Sequence, residues 1–326
     1  MSALNAGEVI DVHGASSANV RINHPIPNGV NFVDLEYFIV DVFSATALEG
    51  NSLAVVMATG AGFTSERMLA IAREFNLSET TFVERRSPDV ERIEGVRVRI
   101  FTTQEELPFA GHPTLGTASV LRQHAPDTLH DNTVRLALNV GAVPVRFTSD
   151  GLFGEMKQRD PEFGAELDAN EVARLIGLSV DDLNSALPPQ VVSTGTAFAI
   201  VALNADAALA RLSVSQQQAT DWLRSRGARW FYVLAPTGSD APAWRARMQF
   251  NGGEDPATGS AAGCAISYLV DRGAVASDAR IHLRQGVEMG RPSDLYLSAH
   301  SASGGVSEVR VGGSTVLVAK GTLLSL

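Results

Sequence analysis

Three side chains suited to proton transfer, Glu79, His112 and Asp255, stand at the edges of apolar segments in a chain of 326 residues. Asp255 belongs to a polar, glycine-rich run, Asn251 to Gly263, that opens into the apolar stretch Cys264 to Val270. Small residues let the backbone approach a ligand closely, and the free N–H groups and dipole of a helix start favour an anion there. Taken alone, the run is equally an ordinary capped turn, and it lacks the lysine of a phosphate loop. A second copy shifts that balance. Thr102 to Gly116, with Glu105, Glu106, Pro108, Phe109, Ala110, Gly111, His112, Pro113 and Thr114, again leads into an apolar helix.

An alternating basic strand precedes each run: Arg97 to Phe101 before the first, Arg245 to Phe250 before the second. The chain therefore reads as a diverged internal duplication whose two helix starts face one cleft, the usual home of a small ligand. A lone glutamate before a strand is most often a plain edge charge. If Glu79 shares the cleft with His112 and Asp255, desolvation raises its pKa and poises it to move protons near neutral pH. His112 reads either as a site residue or as a helix-start residue ahead of Pro113.

The elements that must position these groups follow from pattern. Tyr37 to Phe43 and Ser52 to Met57 read as strands, Thr64 to Phe75 as a helix capped by Thr64 and ended by Asn76, and Leu77 to Val83 as the strand carrying Glu79. Strands at 134–140, 143–147 and 152–157 complete a first half. Asp160 to Leu167 is the expected linker, and Asp168 to Glu171 starts a helix by a capping box. A strand over 191–203 interrupted at Gly195, a helix over 215–226, a strand over 230–234 and a series of C-terminal strands follow. No strict α/β alternation appears, which disfavours a doubly wound nucleotide fold.

Composition bounds the function. The chain is 45% hydrophobic and 19% charged, with 26 basic and 36 acidic side chains and a net charge of −10, so nucleic acid is not an expected partner. No apolar run reaches a membrane-spanning length, and the first residues lack the plan of a signal peptide; the expectation is a cytoplasmic protein with no membrane partner. Cys264 is the only cysteine, which rules out an internal disulfide and a multi-thiolate zinc site.

The runs Gly50 to Val56, Asn76 to Phe82, Leu107 to Thr114, Glu254 to Ala261 and Gln285 to Ser293, in this order, resemble the phenazine-biosynthesis PhzF family. The resemblance implies the diaminopimelate-epimerase-like fold: α+β, with two pseudo-symmetric domains, each a curved mixed sheet wrapped around a central helix. The expected division is an N-terminal extension over 1–30, partly disordered, a first domain over 31–157 with central helix 114–123, and a second over 158–326 with central helix 260–272. The last strand is able to return to the first domain.

The best-known member of that family isomerises trans-2,3-dihydro-3-hydroxyanthranilate without metal or organic cofactor, moving a proton between ring carbons. By resemblance, Glu79 is the shuttling acid/base, His112 and Asp255 assist, and Gly111, Gly259 and Ser260 hold the substrate's polar atoms. A homodimer is implied in the same way. On chemistry alone, Gly259 and Ser260 sit where helix N–H groups would bind a carboxylate.

Related racemases use two thiols. The resemblance implies that Ala110 and Ala257 stand at those positions, and with Cys264 as the one cysteine a two-thiol racemase is excluded. A serine hydrolase lacks its Gly-x-Ser-x-Gly run, and no histidine cluster suits metal hydrolysis. Ser52 departs from the proline common in the family. The expected function is cofactor-independent isomerisation of a small carboxylate; the alternative is a non-catalytic protein that binds a small anion in the same cleft.

Overall fold

The computed structural model describes residues 34–239, 243–250 and 253–324. The expected extension over 1–30, and Asn251 and Gly252 of the glycine-rich run, lie outside them.

The duplication is visible in strand pairing. In the first half, Leu35–Val42 pairs antiparallel with Asn51–Met57, which runs parallel to Glu79–Glu84, which is antiparallel to Val96–Phe101, which is parallel to Thr133–Leu138. In the second half the same alternation links Gln190–Ser193, Ala197–Ala202, Trp230–Pro236, Trp244–Arg247 and Ile281–Gln285. Each series continues through antiparallel hairpins, and the halves join where Gly154–Lys157 pairs with Gly305–Gly313. The final strand, Thr315–Leu323, pairs antiparallel with Leu35–Val42, at the opposite end of the chain.

Among the described residues, six α-helices are set against this sheet: α1 (Ser65–Phe75), α2 (Pro88–Glu94), α3 (Gly111–His124), α4 (Ala169–Ile176), α5 (Gln216–Arg224) and α6 (Gly259–Asp271). α3 and α6 are the central helices. Gly111 through Leu121 of α3 and nearly all of α6 from Gly259 through Val270 are buried, and both contribute to one continuous apolar core. A helix surrounded on every side needs small residues where sheets press close, and alanines, glycines, serines and threonines supply them. Polar groups inside it turn to the helix itself: Ser119 donates to the Leu115 carbonyl and Ser267 to that of Gly263. α1, α4 and α5 are instead amphipathic covers over two satellite cores.

Several expectations shift in detail. Both central helices begin earlier than 114 and 260, because Gly111 and Gly259 already adopt helical geometry and Pro113, lacking an N–H, is tolerated within a first turn where donors have no helical partner. His112 is thus inside α3 rather than ahead of it. The expected linker contains a strand, Glu162–Glu166, which pairs with Gln190–Ser193 despite its charge because it is an edge strand with one face in solvent. The basic strand 245–250 is split at Met248, whose carbonyl accepts from the Asp255 N–H; the pair Gln249–Phe250 turns back against Gly253–Glu254. α2 was not expected.

Candidate active site

A pair of strand-to-helix crossovers brings the site together. Arg99 binds Glu106 bidentately at 2.8 and 2.5 Å, and Arg247 binds Glu254 in the same way at 2.9 and 2.6 Å. Each glutamate precedes the first residue of its central helix by the same five positions, so the two ion pairs fasten equivalent returns of the chain. The Arg247 pair is nearly dry, and such a pair costs ~3–5 kcal/mol to break from one side.

The helix starts delivered by these returns meet backbone to backbone. A Cβ placed on Gly111 would lie 3.3 Å from the Gly259 Cα and 3.4 Å from the Ser260 nitrogen. Only glycine permits that approach without displacing one helix. Neither start carries a side-chain cap or an acidic residue in its first turn. Two positive helix ends converge on one spot, which favours a bound carboxylate.

Glu79 and Asn51 arrive from the sheet. Asn76, in the left-handed conformation with φ of 51°, ends α1 and redirects the chain into the strand that starts at Glu79. That strand is parallel to Asn51–Met57, with Glu79 opposite Leu53, so Asn51 and Glu79 emerge from the same end of the pair.

Glu79 Oε2 lies 3.2 Å from His112 Nε2, and both atoms are buried without a well-aligned hydrogen-bond partner. Proximity alone suggests an ion pair, but burial works against both charges. Burial, followed by the negative charge of Asp255, pushes Glu79 up to about 8, and burial pushes His112 down to about 3. The pair is therefore a neutral imidazole beside a carboxyl group that holds its proton at neutral pH. Asp255 is also raised by burial, to about 6, the rise being limited by hydrogen bonds from Thr258, its own loop backbone and Asn51.

Asn51 is the residue that sequence reasoning quoted without giving it a role. Its Nδ2 donates to Asp255 Oδ1 at 2.7 Å and to the Ala257 carbonyl at 3.0 Å, and lies 3.3 Å from His112 Nδ1. The two amide hydrogens serve two of these three acceptors at a time; when one points to His112 Nδ1, the imidazole proton is on Nε2, towards Glu79. Behind Asp255, the Gln285 amide donates to the Asp255 carbonyl at 2.8 Å and to Thr258 Oγ1 at 2.9 Å, while the Thr258 hydroxyl donates to Asp255 Oδ2 at 2.7 Å. Gln158 donates to the Gly259 carbonyl at 2.8 Å and packs over Gly263, fixing the start of α6. Asn51, Thr258 and Gln285 lie within the quoted runs and Gln158 lies in none of them; a buried amide has no sequence pattern of its own.

Ser52, the departure from the family's proline, donates to Asp41 at 2.8 Å and accepts from Arg291 at 2.9 Å; Arg291 also pairs with Asp41 at 2.7 Å and donates to the Gly50 carbonyl at 2.8 Å. A hydroxyl thus replaces a ring in holding the turn before Asn51. Glu79, His112, Asp255, Gly111, Gly259 and Ser260 all line one cleft of 1290 Å³ between the halves. A separate hollow of 60 Å³ beside Phe43 and Asp294 contains none of them.

Ala110 is the N-cap of α3 and Thr258 that of α6, with Ala257 one residue earlier. None of the three is a thiol. Cys264 is buried inside α6, within 3.6 Å of the Thr194 hydroxyl, and burial raises its thiol to about 11. It is a packed core residue with no thiol partner.

The doubled pairing pattern around two central helices is the diaminopimelate-epimerase-like fold, a scaffold of isomerases and racemases. Residues 40–321 match the family model described as phenazine biosynthesis-like protein, and the chain belongs to that family. It is 35% identical over 291 residues to trans-2,3-dihydro-3-hydroxyanthranilate isomerase of Pseudomonas aeruginosa, covering 87% of this chain and 98% of that one. The enzyme of the same name from Pseudomonas chlororaphis is 32% identical, over 88% and 99%.

Among solved structures, a "Predicted Epimerase" from Pseudomonas aeruginosa superimposes with a TM-score of 0.74 at 35% identity, over 89% of this chain and 99% of that one. A PhzF-family protein of Bacillus anthracis gives 0.79 at 23% identity, over 90% and 99%, a likeness of fold. A hydroxyproline epimerase of Agrobacterium vitis shares the fold at 0.59 and 11% identity, over 89% and 92%. The protein is an isomerase of this family. Among the described residues, no helix is long and apolar enough to cross a membrane.

Proposed function

We propose that the protein moves a proton between two carbons of a small carboxylate substrate without a cofactor, with Glu79 as the shuttling acid/base. The substrate carboxylate binds at the joined starts of α3 and α6, where Gly111, Gly259 and Ser260 present backbone N–H groups. Glu79 in its carboxylate form removes a proton at one carbon and, now a carboxylic acid, returns it at another. Burial makes that carboxylate a stronger base than one in water while keeping its pKa close to the working pH. His112, neutral and with its proton on Nε2, donates towards negative charge that develops beside Glu79. Asp255, mostly ionised at neutral pH, accepts from a substrate amine or hydroxyl.

The observation that carries this reading is the 3.2 Å approach of Glu79 to a neutral His112 in the cleft that also holds the converging helix starts. Trans-2,3-dihydro-3-hydroxyanthranilate, named for the relatives, is the first substrate to assay, followed by related cyclic carboxylates. In heavy water the native protein incorporates deuterium into such a substrate, and Glu79→Gln stops incorporation while substrate binding remains measurable. Undiminished incorporation in that variant refutes the mechanism. The same reading takes the protein as a cytoplasmic homodimer, and light scattering reports the oligomeric state directly.

A further inference from the structure

The cleft is larger than the proton-transfer centre at its floor. Its volume of 1290 Å³ exceeds the range of about 300–1,000 Å³ that encloses a drug-sized ligand, and a single-ring carboxylate fills only part of it. Beyond the helix starts, the cleft extends between Leu107 and Phe109 of the first half and Phe198, Trp230, Met248 and Phe250 of the second. This stretch carries large apolar and aromatic faces. Phe198 and Trp230 form one wall, with ring centroids 5.9 Å apart and tilted by 32°. Arg229 lies over Trp230 at 4.2 Å. Its guanidinium is paired with Glu105 of the first half at 3.5 Å, and Arg224 further out is paired with Asp221 at 2.9 Å.

Both cations, Arg229 and Arg224, already have a carboxylate partner. Beside polar side chains such as Thr103, Gln104, Gln216 and Thr220, the cleft offers a ligand an apolar strip of Leu107, Phe109, Trp230, Met248 and Phe250 that lines the same cleft as the carboxylate site. We infer that this wall is a second subsite, and that the substrate class is a carboxylate bearing an apolar or aryl extension that reaches from the helix starts to Trp230 and Phe250.

The inference rests on the proposed carboxylate site but not on the proton transfer, because the two are read out by different measurements. Binding is followed by calorimetry with two inert probes, benzoate and biphenyl-4-carboxylate, on the full-length protein. The native protein binds the biphenyl acid at least ~10-fold more tightly, a margin that apolar contacts of this extent supply. Trp230→Ala and, separately, Phe250→Ala remove most of that margin and leave benzoate affinity within about twofold. Both side chains are half-buried and pack against the edge of the core, so circular dichroism and thermal melting first establish that each variant is folded. Equal affinity for the two acids in the native protein overturns the subsite, and so does an undiminished biphenyl margin in both variants. A parallel loss of benzoate affinity overturns it as well, since the wall then belongs to the carboxylate's own ring position. Glu79→Gln keeps the margin if only the proton-transfer reading fails. If neither acid binds at all, the carboxylate site itself is wrong and the subsite falls with it.

Discussion

Asn51 Nδ2 reaches Asp255 Oδ1 at 2.7 Å across 204 residues of sequence, and the same nitrogen lies 3.3 Å from His112 Nδ1. One buried amide thereby spans the duplicated halves, holding the carboxylate of the second against the imidazole of the first. Asn51→Ala leaves two buried acceptors without a donor, which costs roughly 1–3 kcal/mol for each group left unpaired. It also removes a hydrogen bond that holds Asp255 down, so the Asp255 pKa rises further above about 6. The expected outcome is a folded, less heat-stable protein whose isotope-exchange rate falls by ~100-fold through loss of alignment. Native-like exchange would deny Asn51 a positioning role.

Burial makes Glu79 a liability to folding, and the proposed proton transfer depends on that burial. Below about pH 4.5 it is protonated in both states and has no effect on stability. Between about 4.5 and about 8 the unfolded chain ionises Glu79 while the folded chain keeps the proton, so stability falls as pH rises by up to ~1.4 kcal/mol per unit; above about 8 the loss is complete. Glu79→Gln escapes this loss. Its melting temperature should exceed that of the native protein by a margin that widens from pH 5 to pH 8. His112 acts at the other end: stability from its staying neutral is present above about 6.5 and drains away as pH falls towards about 3. A melting-temperature difference that does not vary with pH would show that Glu79 is ionised in the folded protein.

Isotope exchange should follow the carboxylate form of Glu79, rising with pH to a midpoint near 8 and then levelling. Asp255 contributes to that midpoint through its negative charge. Asp255→Asn removes the charge and moves the midpoint to lower pH, with a lower plateau because a substrate contact is lost. Pre-steady-state exchange across pH 5–10 measures both effects. A midpoint unmoved by Asp255→Asn would mean that the two carboxylates do not sense one another.

Gly111→Ala tests the converging helix starts. The added methyl meets the Gly259 backbone at 3.3 Å, tighter than ordinary contact, so the two N-termini must separate by a few tenths of an ångström. Benzoate affinity should weaken by roughly tenfold with the circular dichroism spectrum unchanged, an effect the size of one charge-assisted hydrogen bond. Unaltered affinity would locate the carboxylate elsewhere.

Arg247→Met addresses the scaffold. It strands Glu254 in a nearly dry pocket and should cost ~3–5 kcal/mol, whereas Arg99→Met at the equivalent but wetter pair should cost less. Denaturant titration of the two variants gives the comparison. Equal losses would show that burial does not distinguish the two returns.

The sequence alone carried the duplication, because basic alternating strands, acidic turns and small-residue helix starts recur in the same order and depend only on local pattern. It offered Glu79, His112 and Asp255 as candidates, through their place at strand and helix edges and through the family resemblance, and the structure brings all three to one cleft. Helix α1 was legible to its caps, since Thr64 and Asn76 act on neighbouring backbone. Asn51, Gln158, Gln285 and Arg291 were not, because an amide or guanidinium acquires a role only from what burial places beside it.

Tertiary structure alone decided that Gly111 and Gly259 touch and that Glu162–Glu166 is a strand rather than a linker, and it settled that the last strand, Thr315–Leu323, takes the return to Leu35–Val42 that the resemblance left open. Those relations join residues far apart in the chain, and no local propensity encodes them. The protonation pattern belongs to the same category. The sequence supplies a glutamate, a histidine and an aspartate with ordinary pKa values; only shared burial in the cleft pushes Glu79 up and His112 down, the protonation pattern on which the proposed proton transfer depends.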